Sequence, residues 1–194
     1  AHLPVKLILT GSSSLEFRAK TREPLTGRKR EFRVYPFSFH EYVRAKSGPA
    51  LMREIWNPKI TDIEARELLR LLEDYLVYGG YPAVVLEKNL DERARLLEEL
   101  FSSYLEKDVV GFARIDASSA FVDLVRLLAH QVGQIVNESN IANEADIHLP
   151  TLKNYLSILE NTFVTYRVRP FYKNRRQEII KSPKVFFLDN GLMN

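Results

Sequence analysis

Cysteine is absent from the 194 residues, which removes disulfides, thiol nucleophiles, iron–sulfur clusters and cysteine-based zinc sites. The four histidines, His2, His40, His130 and His148, lie far apart in sequence. No apolar run approaches the roughly 20 residues of a bilayer-crossing helix, and no charged-then-apolar leader opens the chain. A cytoplasmic, soluble protein without membrane contact is the expectation. Repeats and low-complexity segments are missing as well.

What is present, 45% hydrophobic and 27% charged residues, is ordinary for one or two small globular domains. The charge is unevenly placed. Residues 151–184 carry eight bases and two acids, whereas residues 1–150 carry 20 bases and 22 acids. The C-terminal segment is therefore the part suited to a nucleic acid or another acidic surface. A smaller basic cluster runs from Arg18 to Arg33.

Near the N-terminus, Val5-Lys6-Leu7-Ile8-Leu9-Thr10 is a short apolar run bounded by Gly11 and three serines, the pattern of a buried parallel strand. Few other strand-like runs precede residue 160, so the expectation is a fragment whose sheet partners lie elsewhere. Helical signals follow. Ser38 with Glu41 forms a capping box behind Phe37, predicting a helix from Phe39 to about Lys46. Thr61 with Glu64 opens a second, with Ile63, Leu68, Leu69, Leu71, Leu72 and Leu76 at helical spacing before Gly79-Gly80-Tyr81-Pro82. A third is predicted from about Asp91 to Asp108.

The C-terminal third has its own order. A helix from Phe121 to Gln134 precedes a short one, Asn140 to Ala145, then a turn and a helix from Thr151 to Glu160 with Pro150 or Thr151 at its start. Two strand-like segments follow, Phe163 to Val168 and Lys184 to Leu188, separated by the basic stretch Lys173-Asn174-Arg175-Arg176-Gln177. Helix, helix-turn-helix and basic β-hairpin is the order of a winged helix. The fold class expected is mainly α with a little β.

Several motifs together resemble one family. They are Leu7-Ile8-Leu9-Thr10-Gly11-Ser12-Ser13-Ser14, Leu25-Thr26-Gly27-Arg28, Tyr35-Pro36-Phe37-Ser38-Phe39-His40-Glu41, Gly79-Gly80-Tyr81-Pro82 and Phe186-Phe187-Leu188-Asp189-Asn190-Gly191-Leu192. In this order they resemble the archaeal and bacterial AAA-type P-loop ATPases that carry a C-terminal domain of unknown function. The resemblance implies a remnant of the ATPase core over residues 1–37, a helical lid over 38–115 and a winged helix over 116–194. It further implies a nuclease-like region after Asn194, and ATP with magnesium in the intact protein. No G-x-x-x-x-G-K-[ST] loop occurs in this sequence, so the chain alone is not expected to hydrolyse ATP and holds no cofactor of its own.

The resemblance places Thr10 and Ser12 at the polar end of a core strand, where a hydroxyl can sense a phosphate, and Arg28 where positive charge can reach one. A serine-rich turn and a solvated basic loop are the plainer accounts of the same residues. Glu41 is accounted for by its capping box, Asp108 by a helix end and His40 by exposure; none is read as catalytic, and no metal site is expected. On the helix from Thr151, the residues Leu152, Tyr155, Leu156 and Leu159 make an apolar stripe. Thr151, Lys153, Asn154 and Ser157 remain to meet phosphates or base edges, with Arg175 and Arg176 on the wing. Two functions stay open: a portion of an AAA-type ATP-binding protein whose winged helix contacts double-stranded DNA, or an interaction and self-association module of the same ATPase.

Overall fold

In the computed structural model, which describes residues 8, 10, 11, 30, 32–105, 109, 119–173 and 181–194, local signals set where the first helices begin. Helix α1 (Phe39–Glu54) starts at Ser38, whose backbone N–H donates to the Glu41 carboxylate at 2.9 Å while its side chain accepts from the Glu41 N–H. Helix α2 (Asp62–Tyr78) starts the same way from Thr61 and Glu64. The sequence predicts a stop near Lys46, and the helical backbone does break at Gly48, whose φ of 85° is open to glycine; Pro49 then opens a second helical stretch that completes the element. After the short α3 (Pro82–Leu86) comes α4 (Leu90–Tyr104), capped by Asn89, which accepts from Asp91 N–H at 2.9 Å. Asp108, where that helix was expected to end, lies outside the described residues.

Among the described residues, three helices and a ribbon follow. Helix α5 (Ser119–His130) gives way to turns before Gln134, and α6 (Glu138–Glu144) begins two residues ahead of expectation because Asn137 caps it. Helix α7 (Leu149–Asn161) has His148 at its N-cap position and Pro150 in its first turn, so Thr151 lies inside the helix. Strands β1 (Thr165–Val168) and β2 (Lys184–Phe187) pair antiparallel, with Thr165 opposite Phe187 and Val168 opposite Lys184. The described residues are thus mainly helical, with this one small sheet. Of the strand predicted at Val5–Thr10, only Ile8 and Thr10 are described; both are exposed and in no strand. A buried parallel strand needs sheet neighbours, and the sheet of the described residues is the β1–β2 ribbon.

Two apolar clusters hold these elements. Tyr42, Val43, Leu71 and Val85 join α1, α2 and α3. The larger cluster includes Phe121, Leu124, Leu128, Leu152, Leu156 and Leu159, with Val185 and Phe187 from β2 and partly buried Phe101 and Tyr104 from α4 packed on it. Each such buried side chain contributes about 1.5–3 kcal/mol. Along α2 the periodic apolar residues divide: Leu71 is buried and Leu68 packs on the first cluster, while Ile63, Leu69 and Leu76 are exposed because no described element covers them.

The chain's last residues return to α2. Asn194 Nδ2 donates to the carbonyls of Leu76 and Val77, each at 2.9 Å, satisfying acceptors that the end of a helix leaves open. Beside it, buried Asp189 accepts the Gly80 N–H at 2.7 Å and the Gly191 N–H at 2.9 Å. Gly79 suits this spot twice over: its φ is 72°, and a Cβ there would lie 1.9 Å from Asp189 Oδ1.

Candidate nucleic-acid interface

Helix α7 sorts its residues by its own period. Leu152, Tyr155, Leu156, Ile158 and Leu159 are buried in the core, which turns Lys153 and Asn154 to solvent and leaves Thr151 and Ser157 half-buried. The expected stripe is therefore the core face. Ser157 is already engaged, its carbonyl and hydroxyl accepting from Asn161 Nδ2 at 2.7 and 3.2 Å. Lys153 and Asn154 remain as the exposed polar residues of α7 near its start, with half-buried Thr151 beside them.

Next to that face lies a cleft of about 400 Å³ between the start of α6, the start of α7, the end of β1 and the residues leading into β2. Lys153, Arg167, Arg169 and Lys181 line it together with Glu138. With Glu160 paired to Arg167 and Glu138 in the lining, four bases face two acids, which leaves a net positive potential. Arg167 is fixed in its wall: Nε and Nη2 meet the two oxygens of Glu160 at 2.7 and 2.5 Å, and Nη1 stands 3.5 Å from Glu138. Those hydrogen bonds to Glu160 hold the guanidinium's pKa above its ordinary value against burial. Arg169 and Lys181 are exposed, and Lys153 lies 3.9 Å from Glu138.

Sequence reasoning singled out Lys153 but counted Arg167, Arg169 and Lys181 only as members of a basic segment. Glu138 and Glu160 were missed, because pairing across seven or more residues leaves no periodic signal. Ser12, Arg28, Arg175 and Arg176 lie outside the described residues, and Thr10 is exposed. His40 and His148 are exposed, and Glu41 serves the Ser38 cap. The sequence has no G-x-x-x-x-G-K-[ST] phosphate-binding loop, and no group of three His, Asp or Glu among the described residues is placed to hold a metal. No helix among them is long and apolar enough to cross a membrane.

Residues 69–194 match the model of a domain of unknown function, DUF8612, and residues 2–43 match that of an AAA domain. An uncharacterized protein of Haemophilus influenzae is 29% identical over 192 residues, covering 96% of this chain and 44% of that protein. One from Methanocaldococcus jannaschii is 24% identical over 194 residues, covering 97% of this chain and 42% of its own length. A Mycobacterium tuberculosis protein is 23% identical over 116 residues, 60% of this chain and 26% of that protein. The chain thus spans less than half the length of these relatives. No solved structure matches it.

Proposed function

The chain belongs to the DUF8612 family, and on that premise we propose that it is a portion of an AAA-type ATP-binding protein whose C-terminal winged helix contacts double-stranded DNA. The match of residues 2–43 to an AAA domain supports the ATPase relationship. Within the proposal, residues 1–37 are the core remnant, 38–115 a helical lid and 116–194 the winged helix.

One observation carries the DNA reading: Lys153 on the outward face of α7 shares a cleft with Arg167, Arg169 and Lys181 from the ribbon side. Phosphate oxygens are the natural counter-ions of such a convergence, and Thr151 and Asn154 beside it can reach phosphates or base edges. Arg175 and Arg176 would extend the contact along the wing. For Thr10, Ser12 and Arg28 a nucleotide-sensing role rests on the family resemblance, and ATP with magnesium belongs to the whole protein.

Fluorescence anisotropy of a labelled duplex over a salt series tests the reading, on this chain and on Arg175→Ala/Arg176→Ala. Each phosphate neutralised adds about 0.9 to the logarithmic salt slope on duplex DNA. The expected result is binding that weakens steeply with salt, with a shallower slope in the variant. Absence of binding at low salt overturns it. The second reading, a self-association module, is favoured by exposed Leu69 and Leu76, which share one face of α2; it predicts tight dimers and a flat salt response.

A further inference from the structure

The cations of the cleft are not equivalent. Arg167 is committed to Glu160 through a fork of two hydrogen bonds at 2.7 and 2.5 Å, which ties β1 to the end of α7. Glu138 is held more loosely. Its two oxygens stand 3.5 Å from Arg167 Nη1 and 3.9 Å from Lys153 Nζ, beyond good hydrogen-bond length. A carboxylate thus sits between two cations without a tight bond to either, on the wall of a cleft whose other bases, Arg169 and Lys181, are exposed.

Resting on the DNA reading above, we propose that this cleft is a subsite for one backbone phosphate of the duplex, and that Glu138 fills the phosphate's position in the free protein. A phosphodiester carries the same single charge as a carboxylate and offers oxygens with the same preference for Lys and Arg donors. It gains Arg169 and Lys181 as further partners. Displacement of the Glu138 side chain costs little, because a part-exposed ion pair at these distances is weak. Glu138 then sets how much of the cleft's charge DNA meets.

The test is the duplex anisotropy titration with four variants of the full chain. Glu138→Gln is expected to bind about three- to tenfold more tightly at about 0.1 M salt and to steepen the salt slope by about 0.9. Lys153→Ala in that background should abolish the gain. Glu99→Gln, which removes one exposed acid from α4, should change affinity less than about twofold at the same salt if the effect is local rather than one of net charge. Lys181→Ala, on an exposed residue outside the helices and strands, should weaken binding and flatten the slope by about 0.9, and it decides the matter should Glu138→Gln fail to fold by near-ultraviolet circular dichroism. A chain that binds duplex while Glu138→Gln brings no gain, or Glu99→Gln an equal one, or Lys181→Ala no loss, overturns the subsite alone. Absence of duplex binding by the unaltered chain overturns the DNA reading and the subsite with it.

Discussion

Asp189 and Gly80 are 109 residues apart in sequence and joined by a hydrogen bond of 2.7 Å from the Gly80 N–H to the carboxylate. The same carboxylate receives the Gly191 N–H, and Gly80 in turn accepts the Phe37 N–H at 2.7 Å. Three stretches that look unrelated along the chain, at Phe37, Gly79-Gly80 and Asp189-Gly191, are therefore parts of one junction. It connects the end of α2 to the segment after β2. Side chains have no room there: a Cβ on Gly80 would stand 2.2 Å from the Phe37 carbonyl oxygen, and one on Gly191 2.5 Å from that of Tyr78.

Replacing Asp189 by Ala strands two buried N–H donors, each costing about 1–3 kcal/mol when unsatisfied. The expected loss is about 2–6 kcal/mol, read as a lower urea midpoint. Asp189→Asn, which keeps one acceptor oxygen, should lose less. An Ala variant as stable as the parent would show that the junction closes without the carboxylate.

Arg93 is buried on α4, and its Nη1 donates to both oxygens of Asp74 on α2 at 2.9 and 2.8 Å; Nε donates to the Glu87 carbonyl at 2.8 Å. Tyr42 on α1 donates its hydroxyl to the same carboxylate, so one acid gathers three helices. Arg93→Met leaves that acid without its cation, at an expected cost of about 3 kcal/mol. The loss should shrink when Asp74→Leu is added in a double-mutant cycle.

The two carboxylates shift in opposite directions, and so should their pH signatures. Burial pushes Asp74 up, but hydrogen bonds from Tyr42 and Arg93 outweigh it and hold the group below 3.8. The unfolded chain then binds more protons at Asp74, so its stabilisation is present above about pH 4 and is lost as pH falls through the folded value. Burial raises Asp189 above 3.8 against the hydrogen bonds from the Gly80 and Gly191 N–H groups. Here the folded chain binds more protons, so this group's contribution is fullest below its unfolded value and declines as pH rises through the folded one. Urea midpoints between pH 3 and 7 should lose the acid-side fall in Asp74→Asn and the rise toward acid in Asp189→Asn.

Local features of the fold were legible in the sequence. The boxes at Ser38 and Thr61 act over three residues, and both start helices where expected; Thr61→Ala should cost about 1 kcal/mol in thermal unfolding. The buried stripe of α7 was legible for the same reason, its contacts following the helix period. Boundaries moved where a competing residue took the cap, as Asn137 did ahead of Asn140, whereas the stop expected near Lys46 agrees with the break at Gly48. What could not be read were partners set by the fold alone. Asp189 with Gly80, Asp74 with Arg93, and Glu138 between Lys153 and Arg167 depend on chain reversals that leave no spacing rule. The cleft is of this kind: its bases are plain in the composition, but their meeting is not.

Helix α7 offers a separation of folding from contact. Leu156 is 1% exposed in the core, so Leu156→Ala should cost about 2–5 kcal/mol and reduce DNA binding only in proportion to the chain unfolded. Lys153 has a side chain 59% exposed, so Lys153→Ala should leave stability within about 0.5 kcal/mol. Its effect should fall on binding, with the salt slope smaller by about 0.9. Parallel urea unfolding and duplex titration of the two variants distinguish these outcomes. If Lys153→Ala binds duplex with an unchanged slope, the outward face of α7 is not where the DNA lies, and the contact moves to the wing.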